Sequence, residues 1–399
     1  LSNASELQPA RIGDDSLALD QWTYIEVDNR RTRHDRKKRR GGGWFGLAMG
    51  DLNGDGYRDI ASGEWIYLNP GGDMTGQWRR VTVRENTDNL EIVDVDRDAQ
   101  ADLIAVRCNE QFWLENRSPP GSNSSNSNSS NTDSWNSTRV STLPICNHKT
   151  SSQGYGLAQL RPGGLPEILL SDEGIYALEI PTRPDSKPWS AIAIATSGSN
   201  GEEVVGSDIN GDGNLDVVGG TIAEGDGNGV AWWEHPGQPS ENWQRHPVGT
   251  TVYHEDRLAA ADLNGDGLTD IVVTEEWSRS DEPITSLYWF EQIRDGDRID
   301  WQRHKIATQS SLNSLDVADI DRDGDIDLVT GEHKGANRLQ LWENSGTGTF
   351  VGHPIDNGKE SHLGAQFADM DGDGDLDILS IAWDDFQYLH LWRNDAIVK

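Results

Sequence analysis

The stretch DMDGDGDLDIL, Asp369 to Leu379, sets carboxylates on alternate residues, Asp369, Asp371 and Asp373, ahead of Gly374. A further carboxylate, Asp377, stands at the ninth position, where an apolar run begins. A hard cation takes about six to eight oxygens at short range. Side chains at positions 1, 3, 5 and 9, with the backbone carbonyl at 7, converge on one point only if the glycine lets the chain fold back. Without a cation these like charges would repel one another.

The pattern recurs along the chain. Asp51, Asn53, Asp55 and Asp59 form the first copy, and Asp94, Asp96, Asp98 and Asp102 the second, where Ala99 replaces the glycine. Asp208, Asn210, Asp212 and Asp216 form the fourth, Asp262, Asn264, Asp266 and Asp270 the fifth, and Asp319, Asp321, Asp323 and Asp327 the sixth. The third copy, around Gln159, Arg161, Gly163 and Glu167, keeps the apolar frame and loses the ligands, so no ion is expected there. Six ligand-bearing copies in one frame predict about six structural Ca2+ sites.

The formal charge of −33 follows largely from these loops, whose ligands supply 21 of the 67 acidic residues; six bound Ca2+ would bring it to −21. No basic surface dominates, which argues against nucleic acid as a partner, and no apolar run is long enough to span a membrane. Ser2, Asn3 and Ala4 read as an expression scar ahead of a mature chain, and calcium loops of this kind suit a secreted or extracytoplasmic protein.

Each copy is followed by further strand-like pieces rich in Trp and β-branched residues, such as AWWEH (Ala231 to His235), LYWFE (Leu287 to Glu291) and LHLWRN (Leu389 to Asn394). The copies start 43, 65, 49, 54, 57 and 50 residues apart, room for one four-stranded sheet each. Seven such units predict an all-β, seven-bladed β-propeller of antiparallel blades over residues 21–399, behind a tail at 1–20. The last unit stops after its third strand, and Gln21 to Asp28, QWTYIEVD, reads as a lone fourth strand. Pairing the two would close the ring and leave no open sheet edge.

The loops DLNGDGYRDI, DINGDGNLDVV and DLNGDGLTDIVV resemble FG-GAP or VCBS repeats, the calcium-loop blades of integrin-α-like propellers. That resemblance implies the fold and leaves function open, since such blades serve adhesion proteins, lectins and lyases. A narrower similarity in GEHKGANRLQLWEN and GKESHLGAQFADMDGDGDLDIL is to secreted bacterial proteins like the propeller of aldos-2-ulose dehydratase, a family that dehydrates oxidised sugars. Ulvan lyases also use such propellers, without a position-by-position match of catalytic residues here.

Three stretches depart from the repeat. RRTRHDRKKRR, Arg30 to Arg40, is either a floppy connecting loop or a clamp for an anionic glycan. Ser118 to Ser137 is low in complexity and is expected to be unstructured. Cys108 and Cys146 fall on the face opposite the Asp loops; a disulfide, free thiols or a metal site with His148 all remain open.

In a propeller the turns on that opposite face converge over the central channel. They carry Glu64, Trp65, Arg107, Asp172, Glu173, Glu275, Glu276, Trp277, Glu332, His333, Trp383 and Asp384, and before the first strands His148, Tyr155, Tyr253, His254, Glu255, Asp256, Lys359, Glu360 and His362. His254, His333 and His362, on consecutive blades, are expected to share a pocket with Tyr253 and Glu332 as catalytic groups. Trp65, Arg107, His148, Tyr155, Glu275, Trp277, Lys359 and Trp383 are the candidate substrate contacts. Imidazoles beside carboxylates can exchange protons near neutral pH or hold a transition metal such as Zn2+. By contrast His246, His304 and His353 recur at one outer-strand position and read as structural. Two functions follow: a carbon–oxygen lyase or dehydratase acting on a uronide or oxidised sugar, or a non-catalytic glycan- or protein-binding propeller. Carbohydrate is the expected partner, anionic if the basic run serves as a clamp.

Overall fold

The computed structural model describes residues 16–31, 44–117, 135–146, 153–223, 227–239, 242–277, 279–359, 362–382 and 387–397. Within them 28 strands form seven four-stranded antiparallel sheets, the blades of a propeller, and no helix. Six blades use four consecutive strands. The seventh combines His362–Ala368, Asp377–Ala382 and Leu389–Asn394 with Trp22–Asp28 from the other end of the chain, in the register Trp22 to Asn394 and Glu26 to His390. The expected closure is therefore present.

Second strands are buried along nearly their whole length, as in Asp270–Glu276, Asp327–Glu332 and Asp377–Ala382, because neighbouring blades cover both faces of each sheet. This is why they read as continuous apolar runs and not as alternating ones. Outer strands such as Arg298–Gln309 face solvent and alternate. Between blades seven and one, Leu379, Ile381 and Leu391 pack with Trp44, Phe45, Ile60 and Tyr67. Each such buried aliphatic side chain contributes about 1.5–3 kcal/mol.

The ninth-position Asp of every ligand-bearing loop is fully buried. It clasps its blade: Asp59 accepts the amides of Leu52 (3.0 Å) and Asn69 (2.8 Å), and Asp377 those of Met370 (2.8 Å) and Asn394 (2.9 Å). Each carboxylate thereby ties the loop to the end of the third strand.

Antiparallel strands alternate direction, so the Asp loops and third-to-fourth turns share one face. The second-to-third turns and the blade-to-blade connections share the other. On that second face Cys108 and Cys146 are joined in a disulfide, Cα to Cα 4.4 Å, which selects among the three alternatives the sequence leaves. The outer strand of blade two begins at Trp135, inside the stretch expected to be unstructured, and pairs Trp135 with Asn116. Residues 118–134 lie outside the described residues, as does the basic run from Thr32 to Arg40. Arg31, the second residue of that run as the sequence defines it, is buried and donates to Ser62 Oγ (2.7 Å) and the Tyr388 carbonyl (3.3 Å).

Candidate functional site at the channel mouth

Five residues beyond the ninth-position Asp or its equivalent, four blades carry a carboxylate: Glu64, Asp172, Glu275 and Glu332. Each accepts a backbone amide from a blade-to-blade connection, Glu64 from the one that leaves its blade and the other three from the one that enters theirs. Glu64 takes Asn86 (2.8 Å), Asp172 takes Cys146 (2.6 Å), Glu275 takes Val252 and Tyr253 (2.5 and 3.0 Å), and Glu332 takes Ser310 (3.2 Å). Glu275 also accepts Ser286 N, and Glu332 pairs with Arg338 at 3.0 Å. Glu275 and Glu332, expected to touch substrate and to act in catalysis, are thus occupied in holding the blade connections.

One residue further along, successive side chains point to opposite sides. Glu276 and His333 meet across blades five and six, with Oε1 2.7 Å from Nδ1. His254 lies opposite Glu276 in the strand register. Burial works to raise Glu276, yet the hydrogen bond and charge of His333, with His254 and Arg257, hold its carboxyl below the usual range. The structure therefore brings His254 and His333 together around Glu276 and gives His333 a partner other than Glu332.

A polar chain runs inward from this pair. Asn313 Nδ2 stands 3.5 Å from Glu276 Oε1, and its Oδ1 3.5 Å from Arg257 Nη2. Arg257 is buried, donates to Gln153 Oε1 (2.5 Å), and faces Asp256 at 3.4 Å and Glu203 at 3.6 Å. Burial drives Asp256 well above the usual carboxylate range, with Glu276, Glu202 and Glu255 adding to the rise against the pull of Arg257. The chain ends at a cavity of about 280 Å³ in the channel, lined among others by Phe45, Glu91, Tyr155, Glu203 and Gln366. At the rim, Trp277 is 36% exposed, its ring 5.4 Å from that of Tyr253, with the Arg279 guanidinium 5.2 Å above it.

Other expected contacts lie elsewhere. Trp65 is buried edge-on to Trp44 (6.0 Å) under the Arg80 guanidinium. Arg107 pairs with Glu110 and lies over Phe112 (5.6 Å). Lys359 pairs with Asp356 (3.2 Å) and sits over Tyr24, on the outermost strand of blade seven, so it is distant from the channel. Tyr155 lines the cavity, but its hydroxyl is engaged by Leu47 N (3.0 Å) and the Phe45 carbonyl (3.3 Å). His148, Trp383, Asp384 and Glu360 lie outside the described residues, and for His362 only the backbone, paired with Ala382, is described. His246, His304 and His353 each bond a Glu at 2.7 Å on the outer strands, and the first two stack on Trp232 and Trp289, as a structural role requires.

Sequence reading assigned no role to Arg257, Glu203, Glu91 or Asn313. The signal was present: HEDRLAAA, SNGEEVVGS and DNLEIV place charge in the middle of inner strands that are otherwise apolar or small.

On the opposite face, the carboxylates of Asp94, Asp96 and Asp102, of Asp319, Asp321 and Asp327, and of Asp369, Asp371 and Asp377 offer oxygens within 4.8 Å of one another, a convergence that suits a hard cation. In the degenerate third loop Gln159 Nε2 donates to the carbonyls of Arg161 (2.5 Å) and Gly163 (3.2 Å). An amide there supplies the donors that a cation would replace elsewhere.

The chain carries FG-GAP-like repeats on its seven-bladed propeller: residues 208–273, 262–330 and 323–380 match the FG-GAP-like repeat family. No curated protein matches the sequence. Among solved structures, a lectin from Agrocybe aegerita, described for specific recognition of non-reducing terminal N-acetylglucosamine, is similar with a TM-score of 0.50 and 16% identity, over 79% of this chain and 81% of that one. At that identity the likeness speaks for the fold alone. These comparisons do not show the narrower similarity to the aldos-2-ulose dehydratase propeller.

Proposed function

We propose that this propeller binds carbohydrate at the channel mouth and is held together by calcium in the opposite-face loops. The observation that carries the first part is the exposed Trp277 beside Tyr253, next to the Glu276–His333 pair. An exposed indole offers an apolar face to a sugar ring, while carboxylate and imidazole take its hydroxyls. The lectin similarity in fold is compatible with this reading and does not carry it.

The calcium reading rests on the carboxylate convergence in three loops, on the loop glycines, and on the amide that replaces the cation in the third loop. Asp51, Asp94, Asp208, Asp262, Asp319 and Asp369 would be the first ligands of their loops, and the bound ion would neutralise their clustered charge. Such loops suit a calcium-rich, extracytoplasmic setting.

A catalytic reading is favoured by one feature, the 2.7 Å contact of His333 with Glu276. In an elimination, a base on the protein takes the proton α to a carboxylate or carbonyl, the carbon–carbon double bond forms, and the β-oxygen leaves with a proton from a second group. His333, oriented by Glu276, has the chemistry of the first group, and Tyr253 that of the second.

Titrating the protein with a panel of neutral, acidic and amino sugars, while following absorbance for unsaturated products, tests both readings. Binding should weaken about tenfold, near 1.4 kcal/mol, in Trp277→Ala. Retained affinity in that variant sinks the platform, and a flat absorbance trace with every sugar sinks the elimination.

A further inference from the structure

Across the channel from Trp277, on the same face, stands a second surface with its own chemistry. Blade five is three blades from blade two in one direction round the ring and three from blade one in the other. Between blades one and two the buried ring of Phe112 carries two guanidiniums, Arg84 at 4.1 Å and Arg107 at 5.6 Å from its centroid. Arg139 stands directly opposite Phe112 in the strand register, so its side chain leaves the sheet on the same side. Three positive groups thus surround one ring.

The chain holds 67 acidic residues against 34 basic ones, so carboxylates to pair with these groups are plentiful. Glu110 is the one in reach, and it is fully used: Oε2 takes Arg107 (3.0 Å from its Nε) and Oε1 takes Arg139 at 2.8 Å. Arg84 receives nothing. Among the described residues its guanidinium donates no hydrogen bond and meets no carboxylate. Burial, and then the charge of Arg107, pull it below its usual range against the opposing pull of Glu110, yet a guanidinium stays charged at any physiological pH. Its Nε is enclosed and unbonded, which leaves the outer Nη pair as free donors, an edge that grips two oxygens of one oxyanion. The segments that carry the two arginines are tied down. Val83 N donates to the Glu64 carbonyl (3.0 Å), Asn86 N to the Glu64 carboxylate (2.8 Å) and Thr87 Oγ1 to the Arg84 carbonyl (2.8 Å). The turn after Arg107 is fixed by the Cys108–Cys146 disulfide and by Asn109 N donating to the Ile145 carbonyl (2.9 Å). Ordering loose side chains opposes binding, and here much of that ordering is already present.

We propose that Arg84, backed by Arg107 on the Phe112 ring, is an oxyanion site on the rim of blades one and two that takes a carboxylate or sulfate group of an acidic oligosaccharide. This rests on the carbohydrate reading above and adds a second contact to it. Trp277 and Arg84 stand on opposite sides of the mouth, so a glycan that meets both lies across the channel.

The test is calorimetric titration of the calcium-loaded full chain with a glucuronate oligosaccharide, its neutral methyl ester, a sulfated oligosaccharide, inorganic sulfate, and a polyglutamate peptide of matching charge. At least one acidic oligosaccharide should bind at least about tenfold more tightly than the neutral ester, as a charge-assisted hydrogen-bonded pair allows. Arg84→Gln should abolish that preference and leave neutral-sugar binding in place. Arg84→Lys, which keeps the charge and loses the two-donor edge, should retain part of it. Arg298→Gln, at an exposed arginine of the Asp-loop face, should change nothing. Unchanged melting curves establish that the variants fold. Acidic and neutral oligosaccharides bound alike, or a preference that survives Arg84→Gln, overturns this inference and leaves the carbohydrate reading standing. Inorganic sulfate or polyglutamate bound through Arg84 as tightly as the acidic oligosaccharides overturns the assignment to a sugar. If no sugar binds at all, the carbohydrate reading falls and this inference with it.

Discussion

Ala99 stands where the other five ligand-bearing loops have glycine, and it adopts φ of 70°. Its amide still reaches Asp94 Oδ2 at 3.0 Å, as Gly213 N reaches Asp208 at 2.9 Å. A left-handed conformation costs a residue with a Cβ about 1–2 kcal/mol, so Ala99→Gly should raise stability by about 1 kcal/mol. Gly213 is the counterpart: φ is 88°, a Cβ there would meet nothing within 4 Å, and Gly213→Ala should cost a similar amount through the backbone alone. Urea unfolding midpoints of the two variants check this, and equal midpoints for all three proteins would contradict it. At the same scale, Glu275 and Glu276 show where sequence reading failed. Both are acidic residues of one turn, and only repeat alignment separates them: Glu275 aligns with Glu64, Asp172 and Glu332, acidic in every one of those blades, which marks a structural clasp, whereas the residues aligned with Glu276 are Trp65, Glu173 and His333, which share no one chemistry. The recurrence argument that sorted the outer-strand histidines correctly applied equally to these carboxylates.

Strands were legible because each blade repeats one apolar schedule and the Asp loops mark its phase. Even the division of blade seven between the two chain ends could be read, since QWTYIEVD lacked companions and LHLWRN lacked a partner. The strand Trp135–Ser141 was less so: its first residues are polar, like the tract before them, and pairing with Gln111–Asn116 decides where it starts. Removing residues up to Asp28 would expose the backbone of Leu389–Asn394 and uncover Ile25 and Val27, which pack in the core between blades seven and one. Removing 118–134 would leave every described strand paired. The first deletion should therefore lower the melting temperature sharply and promote aggregation through the open edge, and the second should leave it within a few degrees. Thermal melts with light scattering distinguish them, and equal losses would refute the closure argument.

Across the whole molecule, the Asp loops and the mouth occupy opposite faces, joined by inner strands such as Ser199–Ser207 and His254–Ala261. If the loops hold calcium, chelation should lower the melting temperature, since an ion bound only by the folded state stabilises it by mass action. Metal analysis should count one ion for each ligand-bearing loop and none for the loop filled by Gln159. An unchanged melt in excess chelator would remove the calcium assignment. The mouth was only half legible from sequence, because Arg257, Glu203, Glu91 and Asn313 come from different blades and acquire meaning only when the ring brings their strands side by side. The clasp carboxylates of blades five and six each stand one residue before a mouth residue, Glu275 before Glu276 and Glu332 before His333. Folding and recognition are thus written at adjacent but separable letters of the repeat. Descendants of this chain, natural or engineered, can exchange residues 276 and 333 and inherit an intact scaffold, so new specificities are reachable through single steps that each leave a working protein.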